Sequence, residues 1–393
     1  MGKEFRFMHC ADLHLGLRFK GLGEENSELA ERLRASVMES FSRIVDYAIE
    51  NSADAMVISG DMYDDSNELP STRMWFCDQL SRLKIPVFLS RGNHDSETRW
   101  ASAIPYPNNV HEFGTEPERF DVGDDVEVIG ISFSKQHETR NLASMLEGRR
   151  DRFTIACLHS DLDSVSEGYP YAPCKMSDLI GRSVDYWALG HIHKRNVVST
   201  SPYVVYPGNI QGRSFKETGP KGAYFVKVSN GSVISLDFIP TNTYRWEDLT
   251  IDISGKNLND VKRELSSVVD DKTLCRITFT GNGDLDRMLR LNSSDVCRTI
   301  ASSTGCIVSS IEVHTSPEID LDSRSNNKDM AAAVIRSGRK LESLSKEQIV
   351  NMICQNKNAA KYREIYMSFT EEEIQSIVSD AMKSIIARME VAR

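Results

Sequence analysis

Five apolar segments of this 393-residue chain are each followed directly by polar residues that can bind a metal ion or transfer a proton. The segments span 5–10, 55–59, 86–90, 153–158 and 185–189, and their composition is typical of buried β-strands. Polar side chains are costly to bury unpaired, so their recurrence at strand ends favours one shared site. They are Asp12, His14, Asp61, Asn93, His94, Asp95, His159, His191 and His193.

The segments between the first three strands have helical periodicity, over 28–50 and 72–83. Such β-α-β-α-β order predicts parallel strands joined by right-handed crossovers, and their carboxyl ends then meet at one sheet edge. Further strands are predicted at 126–132, 203–206, 222–228 and 232–239. Several of these lie too close together for helical crossovers, so antiparallel pairs are expected as well. The predicted class is α/β with α+β features.

The pattern changes after residue 240. Shorter strands at 247–253, 273–280 and 306–314 alternate with helices at 257–269 and 285–303, and from 322 onward the chain is polar and helical. We therefore predict three parts: a catalytic domain over 1–240, a small α+β capping domain over 241–321 and a helical region over 322–393. Residues 323–329 are predicted to be a linker.

The composition narrows the class of protein. No apolar run approaches the ~20 residues that span a bilayer, and the first residues lack the pattern of a secretory leader, so we expect a cytoplasmic protein without membrane contact. The eight cysteines are scattered without a C-x-x-C pair, which argues against a zinc ribbon. The net charge of −10 does not exclude DNA, because a local basic groove decides that question.

Each polar motif is weak when it is taken alone, since a D-x-H or G-D sequence is usually a turn. Together, seven of the side chains are too many for one ion and suit two ions if one carboxylate bridges them. These ligands include no thiolate, which suits Mn²⁺, Mg²⁺, Fe²⁺ or Zn²⁺, and we expect Mn²⁺. The seven are Asp12, His14, Asp61, Asn93, His159, His191 and His193.

The order D-x-H, G-D, G-N-H-D, H and G-H-x-H resembles the calcineurin-like metallophosphoesterases over about residues 5–240. This resemblance implies a two-sheet sandwich flanked by helices, with both ions at one sheet edge. It assigns one ion to Asp12, His14, Asp61 and His193. It assigns the other to Asp61, Asn93, His159 and His191, with Asp61 as the bridge.

His94 and Asp95 are left without a metal in this resemblance, and both are expected to be catalytic. His94 would stabilise the pentavalent phosphorane and protonate the leaving oxygen, while Asp95 would hold the other ring nitrogen and keep the imidazole charged. No Ser or Cys nucleophile is then required.

Three blocks, "HCADLHLG", "GDMYDDSNELPS" and "LGHIHKRNVVSTSPYVVYPGNIQGRSFKETGPKG", are similar to the SbcD group of DNA repair nucleases and to the YhaO-like exonucleases. The resemblance implies a metal-dependent DNA exonuclease or endonuclease. Asp64 stands where archaeal and eukaryotic members carry histidine, which favours a bacterial-type protein and leaves the role of this position open. Candidate DNA contacts are Arg18, Lys20, Arg91, Lys194, Arg195, Arg213 and Lys216, with solvated surface charge as the alternative for each.

The family architecture also implies a partner. Thr370 and Ser345 open capping boxes, and apolar residues recur at helical spacing from Ile374 to Met389. We expect these helices to bind an SbcC-like or YhaN-like ATPase of the SMC type, although packing within their own domain is the commoner fate of such helices; a homodimer is left open. The alternatives to a nuclease are a small-molecule or cyclic-nucleotide phosphodiesterase and a scaffold with a disabled site.

Overall fold

The computed structural model describes residues 4–17, 27–64, 68–97, 100–163, 171–318 and 321–391. The chain divides into two compact units, one of residues 1–247 with 272–274 and one of residues 248–271 with 275–393. Each unit is described separately.

The first sheet of the first unit has the strand order β12-β11-β1-β2-β3-β4. Strands β1 to β4 run parallel to one another, while β11 is antiparallel to β1 and β12 is antiparallel to β11. The six strands are β1 (Phe5–Cys10), β2 (Ala55–Ser59), β3 (Val87–Ser90), β4 (Val110–Glu112), β11 (Gly222–Ser229) and β12 (Ser232–Pro240). Two helices, α1 (Ser27–Glu50) and α2 (Pro70–Arg82), connect the first three strands.

The second sheet has the order β5-β6-β7-β8-β10-β9, in which the four central strands are parallel and both edge strands are antiparallel to their neighbours. The strands are β5 (Glu118–Val122), β6 (Val126–Ile131), β7 (Phe153–His159), β8 (Tyr186–Gly190), β9 (Asn196–Thr200) and β10 (Tyr203–Tyr206). A short helix, α3 (Met176–Leu179), precedes β8.

Three apolar clusters fix the layers of this unit. One contains inward side chains of both sheets, such as Phe7, Phe88, Ile155 and Tyr186, and forms the sandwich core. A second joins the first sheet to α1 and α2, and a third covers the outer face of the second sheet. The unit is therefore a two-layer sandwich flanked by helices. At one edge of it lie the carboxyl ends of five strands, β1, β2, β3, β7 and β8.

The remaining sheet has the order β13-β14-β15, with β13 (Arg245–Asp252), β14 (Thr273–Asn282) and β15 (Ile307–Ser316). Helices α4 (Leu258–Ser266), α5 (Leu285–Leu291) and α6 (Ser293–Thr304) share an apolar cluster with it. The helix predicted over 285–303 is thus two helices. They are separated at Asn292, whose φ of −133° and ψ of 35° interrupt the helical backbone.

The C-terminal region is helical, as predicted. Its elements are α7 (Leu321–Ser325), α8 (Met330–Glu342), α9 (Lys346–Ile353), α10 (Lys357–Ala360), α11 (Arg363–Ser368) and α12 (Glu371–Val391). Both expected capping boxes form, with Ser345 and Gln348 at α9 and with Thr370 and Glu373 at α12. Helix α7 overlaps the predicted linker 323–329, so that prediction was wrong for its first residues. None of the described helices is long and apolar enough to cross a bilayer.

The fold class is confirmed, and the predicted bounds of the main strands agree with the structure within two residues. Three strands were missed, namely β4, β5 and β9. They are short or half-exposed and carry polar residues, so they lack the apolar run on which the other predictions relied. The three-part domain division stays a prediction.

Candidate metal centre

Backbone hydrogen bonds join the loops that follow β1 and β2. The Asp12 N–H donates to the Gly60 carbonyl at 3.1 Å, and the His14 N–H donates to the Asp61 carbonyl at 2.9 Å. Because these bonds continue beyond the parallel strands, they bring the D-x-H and G-D motifs side by side. The shared sheet edge that the sequence predicted is therefore present.

Four site residues have left-handed backbone conformations. The φ angles are 52° at Asp12, 48° at His14, 53° at Asp61 and 103° at His191. A positive φ is unfavourable for residues with a Cβ atom and tends to occur at functional sites, where the surrounding structure holds it in place. This backbone turns side chains from neighbouring strands toward a common point.

Two glycines allow the strand ends to approach closely. A Cβ atom on Gly60 would lie 2.2 Å from Nδ1 of His159, and one on Gly92 would lie 2.2 Å from Oδ1 of Asp61. The glycines in G-D and G-N-H-D are therefore needed for packing against site side chains, beyond their usual role in turns.

Asp12, His14 and His193 form the first ligand group, in which one donor atom from each residue lies within 4.8 Å of the others. Nε2 of His14 lies 3.1 Å from Nε2 of His193, and Nε2 of His193 lies 3.9 Å from Oδ1 of Asp12. The backbone N–H of His191 donates to both carboxylate oxygens of Asp12, at 3.0 and 3.2 Å, which fixes the orientation of this side chain.

The second group contains Asp12, Asp61 and His159, and all three are buried. Oδ2 of Asp61 lies 3.5 Å from Nε2 of His159 and 3.8 Å from Nε2 of His14, so this carboxylate lies close to an imidazole of each group. Asn93 places its Oδ1 atom 3.1 Å from Nε2 of His159. The rings of His159 and His191 are 5.2 Å apart.

The electrostatics of the site suit divalent cations. Burial, reinforced by the charge of Asp61, raises the pKa of Asp12 well above its ordinary value. Burial alone would also raise the pKa of Asp61, but the imidazoles of His159 and His14 outweigh it and lower the pKa to about 2. Burial lowers the pKa of His14 well below its usual range and that of His191 to about 3, which favours neutral rings with a free lone pair.

Two buried carboxylates beside each other are unfavourable unless a cation neutralises them, and neutral imidazoles are good ligands. The donor set therefore fits two divalent ions. The assignment of each side chain to a particular ion stays a prediction.

Two carboxylates, Asp64 and Asp95, lie near His94, and the role that the sequence assigns to Asp95 stays a prediction. Both carboxylate oxygens of Asp95 accept backbone N–H groups, from Gly92 and from Met62, each at 2.7 Å. Nδ1 of His94 instead lies 3.7 Å from Oδ1 of Asp64, an oxygen that is also 3.4 Å from Nδ1 of His14. Asp95 therefore anchors the loop that carries His94, and Asp64 supplies the carboxylate beside the imidazole.

Sequence reasoning missed Glu217 entirely. Its carboxylate lies 2.8 Å from Nδ1 of His193 and also accepts hydrogen bonds from Asn209 and Arg213. Burial would raise the pKa of Glu217, but its contacts with His193 and Arg213 lower it. Residues 207–221 around Glu217 contain no strand, so the strand end that revealed the other site residues is absent here.

The structure separates the candidate DNA contacts into three classes. Arg18 and Lys20 lie outside the described residues. Lys194 and Lys216 are exposed, and Arg91 is half-buried. Arg195 lies over the ring of Phe238 at 3.8 Å, and Arg213 binds Glu217, so both of these side chains have partners within the protein.

Comparison with known proteins agrees with this geometry. Residues 5–195 match the calcineurin-like phosphoesterase family. The chain is 36% identical over 267 residues to the uncharacterized metallophosphoesterase YhaO of Bacillus subtilis, a match that covers 65% of each chain, just under two thirds of that relative.

Two DNA repair proteins are more distant relatives. The DNA double-strand break repair protein Mre11 of Thermoplasma acidophilum is 27% identical, over 66% of this chain and 72% of that protein. The D subunit of the nuclease SbcCD of Bacillus subtilis is 25% identical, over 64% of this chain and 71% of that protein.

Among solved structures, a dimetal phosphatase from Danio rerio aligns with a TM-score of 0.36 and 12% sequence identity, covering 57% of this chain and 93% of that chain. The family match spans β1 to β8 and includes all seven expected ligands, so residues 5–195 carry a calcineurin-like phosphoesterase domain.

Proposed function

We propose that this protein is a metal-dependent deoxyribonuclease that hydrolyses phosphodiester bonds with two divalent ions, most favourably Mn²⁺. The observation that carries the proposal is the position of Asp61, whose Oδ2 atom lies within 4 Å of an imidazole from each ligand group. A carboxylate so placed can bridge two ions, and the adjacent His94 supplies an acid without being needed as a ligand.

When bound, the two ions would polarise the phosphate and lower the pKa of a coordinated water. Asp12, His14, Asp61 and His193 would hold one of them, and Asp61, Asn93, His159 and His191 the other. His94 donates a proton to the leaving oxygen, and Asp64 stands beside its Nδ1 atom to orient the ring. The Asp61 carboxylate accepts the backbone N–H of His94 at 2.9 Å, which couples the acid to the ligand groups.

DNA as the substrate is supported by the relatives named for DNA repair and for nuclease activity, each matched over about two thirds of this chain. Lys194 and Lys216 are exposed close in sequence to His193 and Glu217, which suits contact with phosphates. These two lysines are therefore the described residues that we expect to position the strand.

An SMC-type ATPase is proposed as the partner of the C-terminal helices. Several apolar side chains in this region remain exposed, including Ile365, Ile377 and Ile385. A contiguous apolar face on a helix commonly marks a protein contact, and a relative of this chain is itself named as one subunit of a nuclease.

The second candidate is a phosphodiesterase that acts on small molecules or cyclic nucleotides. One observation favours it: Arg213 is ion-paired with Glu217, which leaves one basic group fewer for a DNA groove than the sequence suggested. This enzyme would use the same metal centre.

A digestion assay separates the two candidates. Linear double-stranded, single-stranded and hairpin DNA are incubated with the protein and Mn²⁺, beside bis-p-nitrophenyl phosphate. We expect hydrolysis of DNA, which is weakened in Lys194→Ala/Lys216→Ala while cleavage of the small ester is unchanged. Lys84→Ala is the matched control. Lys84 is also exposed, but it lies before the amino end of β3, whereas the candidate site follows the carboxyl end. Hydrolysis of the small ester alone would reject the nuclease.

A further inference from the structure

Glu217 and its partners form a polar cluster directly behind His193. The Glu217 side chain is 12% exposed and receives hydrogen bonds from Asn209 Nδ2 at 2.8 Å and from the Arg213 backbone N–H at 2.8 Å. The Arg213 guanidinium adds Nε at 3.1 Å and a terminal nitrogen at 2.9 Å. A carboxylate with so many donors is fixed in one orientation.

Nδ1 of His193 lies close to both a hydrogen-bond acceptor and a hydrogen-bond donor. Glu217 Oε1 lies at 2.8 Å and can only accept a proton, while a terminal nitrogen of Arg213 lies at 2.7 Å and can only donate one. A neutral imidazole carries one proton. Either Nδ1 holds it and donates to Glu217, or Nδ1 accepts a hydrogen bond from Arg213 and Nε2 holds the proton. The choice determines which ring nitrogen keeps its lone pair.

The two outcomes differ at the metal centre. If Nδ1–H donates to Glu217, the lone pair of Nε2 is free and lies toward Asp12 and His14. If Arg213 donates to Nδ1, the proton resides on Nε2, which can then no longer bind a cation. Histidines that bind metals usually donate their second nitrogen to a carboxylate for this reason.

We infer that Glu217 is a positioning residue of the metal centre, which holds His193 in its metal-binding tautomer and neutralises the guanidinium of Arg213 that lies beside Nδ1. The inference rests on the proposed two-metal site. It also gives Arg213 a different role from the DNA contact that the sequence suggested, since its side chain serves Glu217.

Titration of Mn²⁺ into the full-length protein, followed by calorimetry, tests this role without measuring activity. The wild type should bind two ions. Glu217→Ala should lower the affinity of one site by ~10–100-fold and leave the other nearly unchanged. Glu217→Gln should lose less, because its amide oxygen still accepts the Nδ1 proton.

The double variant Glu217→Ala/Arg213→Ala is the decisive comparison. Removing the guanidinium from the Glu217→Ala background should recover part of the lost affinity, because no donor then competes for Nδ1 and no unbalanced charge repels the cation. A purely structural role predicts further loss. If Glu217→Ala does not fold, Glu217→Gln with and without Arg213→Ala provides the same comparison.

Asp286→Ala is the matched control. Asp286 pairs with Arg290 at the same spacing of four residues and is also largely buried, but it lies in the second unit. It should leave both affinities unchanged. Wild-type Mn²⁺ affinity in Glu217→Ala would overturn this inference but not the metal centre. The same holds if the double variant binds Mn²⁺ no more tightly than Glu217→Ala. A wild type that binds no Mn²⁺ would overturn the metal centre as well.

Discussion

The strand-end site and the C-terminal helices use polar residues in different ways. Around Asp12, His14 and Asp61, polar side chains are buried, backbone angles are left-handed, and each group depends on partners from other strands. In residues 321–391, polar groups mainly cap helices. Small apolar clusters, such as the one of Ala331, Ile335, Met382 and Ile386, hold the helices together.

This contrast shows which interactions act locally. A capping box is completed within four residues, so it forms wherever the sequence supplies it. The site instead needs the sandwich to be complete, because its proposed ligands lie at the carboxyl ends of five strands of two sheets. Substitutions at the site should therefore change metal binding and chemistry, whereas substitutions in the helices should change packing and partner binding.

The largest effect is expected for Asp61→Ala. This change removes the carboxylate that lies close to an imidazole of each ligand group, so we expect loss of bound metal and loss of hydrolysis below detection. Mass spectrometry measures the metal content of the variant. Asp46→Ala, on the exposed side of α1, is the control. A variant that keeps two ions per chain would show that Asp61 does not bridge.

His94→Asn should separate chemistry from binding. It removes a proton donor but no proposed ligand, so two ions should remain while turnover falls by ~10²–10⁴-fold. Turnover of bis-p-nitrophenyl phosphate and metal content are measured on the same sample. A metal-free protein would mean that His94 is a ligand, and unchanged turnover would mean that another group is the acid.

Asp64→Asn and Asp95→Asn test which carboxylate is the partner of His94. Asp64 lies beside Nδ1 of His94 and Asp95 accepts two backbone N–H groups, so only the first change should act on the ring directly. We expect Asp64→Asn to lower turnover by ~10–100-fold with little change in Tm, and Asp95→Asn to lower Tm. Equal turnover in wild type and Asp64→Asn would show that a residue other than Asp64 orients the His94 ring.

Much of this fold could be predicted because each strand that carries chemistry has its own apolar run, from "FRFMHC" to "YWALG". The convergence of Asp12, Asp61 and His159 followed from the rule that parallel strands end at one edge. Their roles as ligands stay predictions.

Other contacts could not be predicted because they depend on side-chain directions between distant loops. Asp64 and Asp95 both lie close to His94 in the fold, and no sequence pattern indicates that Asp95 accepts the Gly92 and Met62 amides. Glu217 stands in the same quoted block as His193 but in a polar loop without periodicity, so no pattern predicted a contact between the two. The break at Asn292 was likewise hidden within a continuous helical pattern.

The smallest effects are expected in α12, where two adjacent isoleucines have opposite surroundings. Ile386 is fully buried in the cluster with Met382, whereas Ile385 is 48% exposed. Ile386→Ala should cost ~2–5 kcal/mol of local stability, because it leaves a cavity. Ile385→Ala should change stability by less than ~0.5 kcal/mol.

Hydrogen exchange of the α12 amides measures this difference. A loss of ~2 kcal/mol should accelerate their exchange by roughly 30-fold in Ile386→Ala, while Ile385→Ala exchanges like the wild type. Neither change should alter metal content or hydrolysis of the small ester.

Pull-down with the coiled-coil segment of an SMC-type ATPase then tests the docking proposal, which requires Ile385→Ala to weaken binding although its helix is intact. Full binding by Ile385→Ala and by Ile377→Ala would place the partner elsewhere, because both side chains are exposed on the same helix.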